Sequence, residues 1–380
     1  MKPKALDSVS RRTMLRRSGL AALGTMLSPV LGSAQASSAA PSRQQRYPEL
    51  RLINLAGNEN PNGPSRAVSL AIMQEVSNSC RYPFREEVIL AEKLAGLEGV
   101  TPEHIVLGNG CDEILSFAGD CYGLPGGNVV ATRPTYLELM RYAEKRGAEI
   151  HWVDHTESMH HNLAGMLAAI TAETGIVYVC NPDTPTGTTL ERDHLRDFCW
   201  EATKSCPVFL DEVYLELRPD FRRQTLVDLV HQDLPVIVGR SFSKMHGLAG
   251  HRIGYAIARP DIAENLRGRK MSSLNYLGVI AATASLDDYA FHEQSRNLIS
   301  SGREKFIKLL TELNLQFTPS GGNFVFHRTG IPTHEFQAIM KAKNFLVGRP
   351  FPPYDDWCRI SIGRSDEMSL YETAMRQVFD

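Results

Sequence analysis

Between residues 104 and 258, short apolar runs alternate with amphipathic stretches, and this rhythm leaves few folds open. His104–Leu107, Asn128–Thr132, Glu149–Val153, Gly175–Cys180, Pro207–Leu210, Pro235–Gly239 and Arg252–Ala258 read as strands. Segments near Asp112–Cys121, Tyr136–Arg146, Leu163–Ile170 and Arg192–Lys204 read as helices; in the first, Ile114, Leu115, Phe117 and Ala118 recur at helical spacing. Strands this short, separated by helices, predict an α/β chain: a mostly parallel sheet covered on both faces. After Asp287 the rhythm changes. A long helix over about Phe291–Leu313 precedes short strands at Asn323–His327 and Arg359–Ile362, which predicts a smaller α+β C-terminal domain.

The 380 residues carry a formal net charge of -2, with 43% hydrophobic and 22% charged residues. That is the balance of a globular protein and excludes collagen-like, coiled-coil and wholly disordered chains. No basic excess points to nucleic acid. The charge is uneven, however. Residues 1–36 hold six basic groups against the single acid Asp7, followed by the uncharged run Ser18–Ser42. Ser10-Arg11-Arg12-Thr13-Met14-Leu15-Arg16 resembles a twin-arginine export motif, and Ala34-Gln35-Ala36 supplies the small residues of a signal-peptidase site. The run is too rich in Gly, Ala and Ser, and too interrupted by Pro29, for a good membrane-spanning helix. The expectation is export by the twin-arginine machinery, a mature N-terminus near Ser37, and a periplasmic or secreted protein.

The chain divides on this reading into a signal peptide (1–36), a lead-in and arm packing with the small domain (37–76), a large domain (77–286) and a small domain (287–380). The seven cysteines are odd in number and form no C-x-x-C pair, so neither a disulfide framework nor a metal site is expected. Most lie in apolar runs and read as core residues. His160-His161 lies in a polar stretch and reads as loop.

In open α/β sheets, ligands bind beyond the C-terminal ends of the strands. Here those ends carry Asn181-Pro182-Asp183-Thr184-Pro185-Thr186-Gly187, Asp211-Glu212-Val213-Tyr214 and Ser241-Phe242-Ser243-Lys244, with Arg252 eight residues beyond Lys244. The first strand delivers Gly108-Asn109-Gly110 into a helix N-terminus, a ready phosphate cradle. Singly, each has a structural reading: Lys244 solvated, Asp211 a turn cap, the glycines a turn. Together, an acid, an amine, an amide, a phenol, an arginine and a phosphate pocket suit pyridoxal 5′-phosphate held by a lysine, with an acid facing the pyridine nitrogen.

With these motifs the sequence resembles the class I/II aminotransferases of fold type I, and within them the histidinol-phosphate aminotransferase-like group. The resemblance spans about residues 50–375. It rests on Asn181–Gly187, on Ser241–Lys244 with Gly247-Leu248-Ala249-Gly250 and Arg252-Ile253-Gly254, and on the arm Asn58-Glu59-Asn60-Pro61-Asn62-Gly63-Pro64-Ser65. It implies that Lys244 is the Schiff-base lysine and proton carrier, and that Asp211 pairs with the ring nitrogen. Asn181 and Tyr214 would hydrogen-bond the ring oxygen, and Tyr136 would stack on the ring. Cys111 and Asp112 amides, Ser241 or Ser243 hydroxyls and Arg252 would hold the phosphate. Tyr82 would reach the phosphate of a partner's cofactor, making the active unit a homodimer. Arg359 would take the substrate α-carboxylate, with Arg349 and Asn62 as further substrate contacts.

Two departures bear on the substrate. Asn62 stands where the family arm has tyrosine. In Leu346-Val347-Gly348-Arg349, glycine stands where histidinol-phosphate enzymes tend to place an arginine, and a one-residue shift turns a strand side chain to the other face. They predict weaker selectivity for an imidazole phosphate and broader use of amino acids. Transamination between an amino donor and a 2-oxo acid stands beside two alternatives: another pyridoxal-phosphate reaction (decarboxylase, lyase or racemase) and a non-catalytic binder. Arg359 with a complete ring-binding set favours the first, and the presence of Lys244 and Asp211 argues against the last.

Overall fold

All seven of those runs pair into one sheet. The computed structural model describes residues 52–379; the expected export segment and residues 37–51 lie outside them. After a short strand β1 (Ile53–Asn54) come β2 (Ile105–Gly108), β3 (Asn128–Arg133), β4 (Glu149–Asp154), β5 (Thr174–Cys180), β6 (Val208–Asp211), β7 (Val236–Ser241) and β8 (Gly254–Ile257). The seven-stranded sheet has the order β2-β8-β7-β6-β5-β3-β4. Strand β8 alone runs against its neighbours β2 and β7, and the other pairings are parallel. Parallel neighbours need a long crossover, whereas the dozen residues between β7 and β8 suffice for an antiparallel return.

The strands are buried on both faces. In β7, Val236, Ile237 and Val238 have no exposure, and each such side chain contributes about 1.5–3 kcal/mol by leaving water. Helices Cys111–Tyr122, Glu138–Arg146, Arg192–Ala202 and Pro260–Arg267 turn apolar stripes toward this core.

Several helices escape the sequence reading, Tyr276–Ser285 and Phe84–Glu98 among them. Tyr276–Ser285 is apolar on nearly every side, so its pattern shows no helical period. Phe84–Glu98 carries apolar residues outward (Phe84, Val88, Ile89) as well as inward (Leu90, Leu94), which blurs its stripe. Elsewhere the bounds move by a residue or two. Asp211 and Ser241 fall inside their strands. Arg252 falls outside β8, in a left-handed conformation with φ 55°.

Beyond residue 288 the chain builds a second core of Phe306, Leu310, Val325, Phe336, Ile360 and Tyr371, joined by Leu55 from the N-terminal arm. Its long helix, Tyr289–Glu312, is capped by Asp288, whose carboxylate accepts the Phe291 N–H at 3.1 Å. Strands β9 (Phe324–Arg328) and β11 (Trp357–Ser361) pair antiparallel with Arg359 opposite Phe326. The short β10 (Phe345–Leu346) pairs with β1. This is the smaller α+β unit the sequence predicts. Among the described residues no helix is long and apolar enough to cross a membrane.

Candidate active site

Strands β2, β5, β6 and β7 run in one direction, so Gly108, Cys180, Asp211 and Ser241 end on one edge of the sheet. The reversed β8 begins there, with Gly254 opposite both Gly108 and Ser241, and Arg252 is brought to the same edge from the other chain direction. These ends bound a cavity of about 380 Å³. Its wall includes the amine Lys244, the acid Asp211, the phenols Tyr136 and Tyr214, and the serines Ser241 and Ser243. Cys111, Asp112, Arg252 and Arg359 complete the predicted set on that wall.

Asp211 is buried, and its partners are a phenol and an amide: Tyr178 Oη donates to Oδ2 at 2.8 Å and Val213 N–H to Oδ1 at 3.2 Å. Burial, the dominant effect, pushes its carboxyl up to about 6, and the two hydrogen bonds oppose that rise. The Lys244 ammonium lies 5.3 Å above the ring of Tyr214. Tyr214 is fixed in turn: Asn58 Nδ2 donates to its Oη at 2.9 Å and Phe324 packs edge-on at 5.2 Å.

At the opposite end the helix Cys111–Tyr122 starts without a side-chain cap, so its first N–H groups face the cavity side free of any capping group. Gly110 permits the close approach of Arg252: a Cβ there would sit 2.3 Å from the guanidinium, and its φ of +84° suits glycine. Arg252 Nη2 and Tyr136 Oη both donate to the Asp112 carboxylate, at 2.7 and 2.8 Å. Burial raises the Tyr136 hydroxyl far above its ordinary range, so it is a donor at all working pH.

Arg359 reaches the cavity from β11. Nη1 donates to Thr184 Oγ1 at 2.9 Å and Nη2 to Ala56 O at 2.8 Å, while Nε is buried without a partner. Its guanidinium is held between the rings of Phe324 (5.5 Å) and Phe351 (5.2 Å). A half-buried cation whose partners are a hydroxyl and a carbonyl, with its Nε shut off from solvent, is built to meet an anion.

Four predicted residues do not line this cavity. Tyr82 is 75% exposed and stacks on Phe84. Asn62 turns away, its amide donating to Asn60 Oδ1 at 3.0 Å, and it borders a separate cavity with Leu298 and Met368. Arg349 lies on Phe351, 4.1 Å from the ring, with Nη1 bonded to its neighbour Pro350 O. The adjoining Gly348 has a steric reason, since a Cβ there would lie 2.4 Å from Arg359 O. Asn181 is buried beside the cavity with its amide oxygen bound to Leu190 N–H, which leaves the NH₂ group for a ligand.

The burial of His161 is not visible in the sequence. The residue lies in the irregular segment the sequence predicts, but its ring is buried and bridges Thr132 Oγ1 and Cys180 O at 2.8 Å each. Three contributors escaped the residue-level reading: Tyr178, Thr184 and Asn58. Of these, Asn58 had a signal, since it opens the arm motif and takes a left-handed φ of 50° that asparagine tolerates.

Residues 51–372 match the family model for aminotransferase class I and II. Among curated proteins, a histidinol-phosphate aminotransferase of Moorella thermoacetica is 34% identical over 331 residues, covering 86% of this chain and 85% of that protein. Histidinol-phosphate aminotransferase 1 of Dechloromonas aromatica is 33% identical, covering 88% of this chain and 92% of its own. Among solved structures, histidinol-phosphate aminotransferase from Sinorhizobium meliloti in complex with pyridoxal 5′-phosphate superposes with a TM-score of 0.80 at 28% identity, covering 86% of this chain and 90% of that one.

The cavity fits that cofactor on its own geometry. It offers a buried acid without a cationic partner for a pyridine nitrogen, an amine for an aldehyde, and an uncapped helix start with Arg252 and two serines for a phosphate. This chain belongs to the class I and II aminotransferases, enzymes of fold type I whose cofactor is pyridoxal 5′-phosphate.

Proposed function

We propose that Lys244 and Asp211 carry the transamination and that Arg359 receives the anionic group of the substrate, the second partner being a 2-oxo acid. When bound, pyridoxal phosphate supplies an aldehyde carbon for amines and a ring that draws electrons from the substrate α-carbon. Lys244 holds the cofactor between turnovers and, once released, carries the proton to and from the α-carbon. Asp211 faces the ring nitrogen as a carboxylate and keeps it protonated, the largest electrostatic contribution of the protein. Tyr214 and Asn181 bind the ring oxygen and Tyr136 covers the ring. The N–H groups of Cys111 and Asp112, with Ser241, Ser243 and Arg252, bind the phosphate.

The observation that carries this reading is the placement of Arg359, half-buried and without a carboxylate partner, on the wall that also holds Lys244. Its planar donors suit a carboxylate or a phosphate. The relatives' names support an amino-alcohol phosphate as one donor. Gly348 in place of an arginine, with Asn62 turned away and Arg349 held on the Phe351 ring, supports use of ordinary amino acids as well. The test mixes yellow holoenzyme with single amino donors and follows loss of the visible band, then compares kcat/KM for histidinol phosphate with a panel of aromatic and aliphatic amino acids. Comparable values across the panel are expected. A strong preference for histidinol phosphate would refute the broad reading.

The segment 66–98 supports a homodimer. Leu70, Met73, Val76, Tyr82, Phe84 and Val88 are all large, apolar and more than 40% exposed there. In such a dimer Tyr82 would reach the partner's cofactor phosphate. Export through the twin-arginine machinery is our reading of Arg11, Arg12 and Ala34–Ala36; replacing both arginines with lysine should trap the precursor in the cytoplasm, and unchanged export would contradict it.

A further inference from the structure

Asp183, the third residue of the Asn181–Gly187 turn, is fully buried, and its partners are two imidazoles and two hydroxyls. His155 Nε2 faces Oδ2 at 3.2 Å and His161 Nε2 faces Oδ1 at 3.4 Å; the hydroxyls of Thr135 and Thr186 donate to Oδ1 and Oδ2 at 3.0 and 2.9 Å. Two histidines and an aspartate raise the question of a metal. The hydrogen bonds argue against one. His161 Nε2 sits 2.8 Å from Cys180 O, so that nitrogen carries the proton and has no lone pair to offer, while Nδ1 takes the Thr132 hydroxyl. Burial would raise the Asp183 carboxyl, but His161, His155 and Thr186 outweigh it and hold it below the ordinary carboxylate range. The group is an anchor around a buried anion: two threonine hydroxyls hydrogen-bond it, and the two imidazoles lie against it at 3.2 and 3.4 Å, His155 Nε2 having no other partner.

The anchor holds both supports of Arg359. On one side, Asp183 closes its turn by N–H to Thr188 O and by accepting Gly187 N–H, each at 2.9 Å, and so presents the adjacent Thr184 Oγ1 to Arg359 Nη1. On the other side, the His155 ring lies parallel to Tyr354 at 6.2 Å, with Nδ1 3.4 Å from Tyr354 Oη. Tyr354 packs on Phe326, Phe326 packs edge-on against Phe351, and Phe351 carries the Arg359 guanidinium. His155 therefore touches both the carboxylate behind Thr184 and the aromatic stack beneath Arg359. Of the five N–H groups of Arg359, two are spent on Thr184 and Ala56, and these fix where the remaining three point.

We propose that His155 and Asp183 form a positioning pair for Arg359, setting the enzyme's affinity for the anionic group of its substrate without touching it. The proposal rests on the reading of Arg359 as the anion-binding residue. Misplacing a binding group by about 1 Å can cost up to about a hundred-fold, so a partial release should be readable in KM.

The test uses holoenzyme with 2-oxoglutarate as acceptor. His155→Phe keeps the ring on Tyr354 and removes the contact with Asp183. It should raise KM about ten-fold with kcat within about two-fold, and leave the visible cofactor band and cofactor retention as in wild type. His155→Gln, which keeps a donor toward Asp183, should recover most of that loss. A uniform fall in kcat with loss of cofactor would mean a structural role only and overturn the proposal. If His155→Phe does not fold, Tyr354→Leu at its half-buried position carries the same expectation. Arg359→Ala, alone and combined with His155→Phe, separates the two readings. An unchanged KM in Arg359→Ala sinks the anion-binding reading itself. A raised KM in Arg359→Ala, with no effect of His155→Phe or with fully additive effects, sinks the positioning pair alone. Stoichiometric metal in the purified protein would also overturn the anchor.

Discussion

Tyr178 donates a 2.8 Å hydrogen bond from its hydroxyl to Oδ2 of Asp211, across the parallel pairing of β5 and β6. Both residues are buried, so the bond orients a carboxylate that water does not reach. Removing the hydroxyl in Tyr178→Phe keeps the ring and frees the carboxylate to rotate. A hydrogen bond to a charged group is worth about 1.5–3 kcal/mol, so the variant should hold pyridoxal phosphate roughly ten-fold more weakly or worse. Titration of apoenzyme with cofactor, followed by absorbance, checks this; unchanged affinity would remove Tyr178 from the site.

Asp211 gives the apoenzyme a pH signature. Its carboxyl is pushed up to about 6 in the folded chain, chiefly by burial, against about 4 when unfolded. Between those values the folded chain holds the proton more tightly, so stability falls as pH rises through the window and is level above it. Across that window the loss is about 3 kcal/mol. Urea unfolding of apoenzyme at pH 4 and pH 7 should show that loss in wild type relative to Asp211→Asn. Equal pH slopes in the two proteins would contradict it.

Lys244 should be the sole site of covalent attachment. Borohydride reduction of holoenzyme followed by peptide mapping should find the cofactor on Lys244. Lys244→Ala should bind it without a reducible bond, through Asp211 and the phosphate cradle. A reduced cofactor on another lysine would refute the assignment.

The exposed apolar face of residues 66–98 should be covered in solution. Sedimentation should give twice the 42.3 kDa chain mass, less any removed leader. Met73→Asp, at a position 69% exposed, should shift the protein toward monomer and lower activity together. A monomer with full activity would overturn the shared-site reading.

The sheet and most of the site were legible because they rest on local signals. A strand end that delivers Asp211 or Lys244 is visible as an apolar run followed by a polar motif. Arg252 was legible as a residue, though not as one standing outside β8 in a left-handed turn. What escaped depends on distant partners. Tyr178 reads as one more apolar strand residue until β6 is placed beside it. Thr184 gains its meaning from Arg359, 175 residues away. The polar composition around His160-His161 pointed to a loop, which is there, and left unseen that the ring of His161 is drawn inward by a threonine and a carbonyl on two strands. Asn62 and Arg349 were assigned by alignment of motifs, and the orientation of each is set by a neighbour, Asn60 and Phe351.

Gly348 puts one position beyond the reach of a single substitution. Because any side chain there would meet the Arg359 carbonyl at 2.4 Å, an arginine cannot be placed at 348 while β11 stays where it is. A new cation at that position would push aside the strand that presents the existing one. A cation at 348 thus requires paired changes, one at 348 and one in the strand of Arg359, and an engineer who wishes to place it there has to redesign the backbone contact before choosing the side chain.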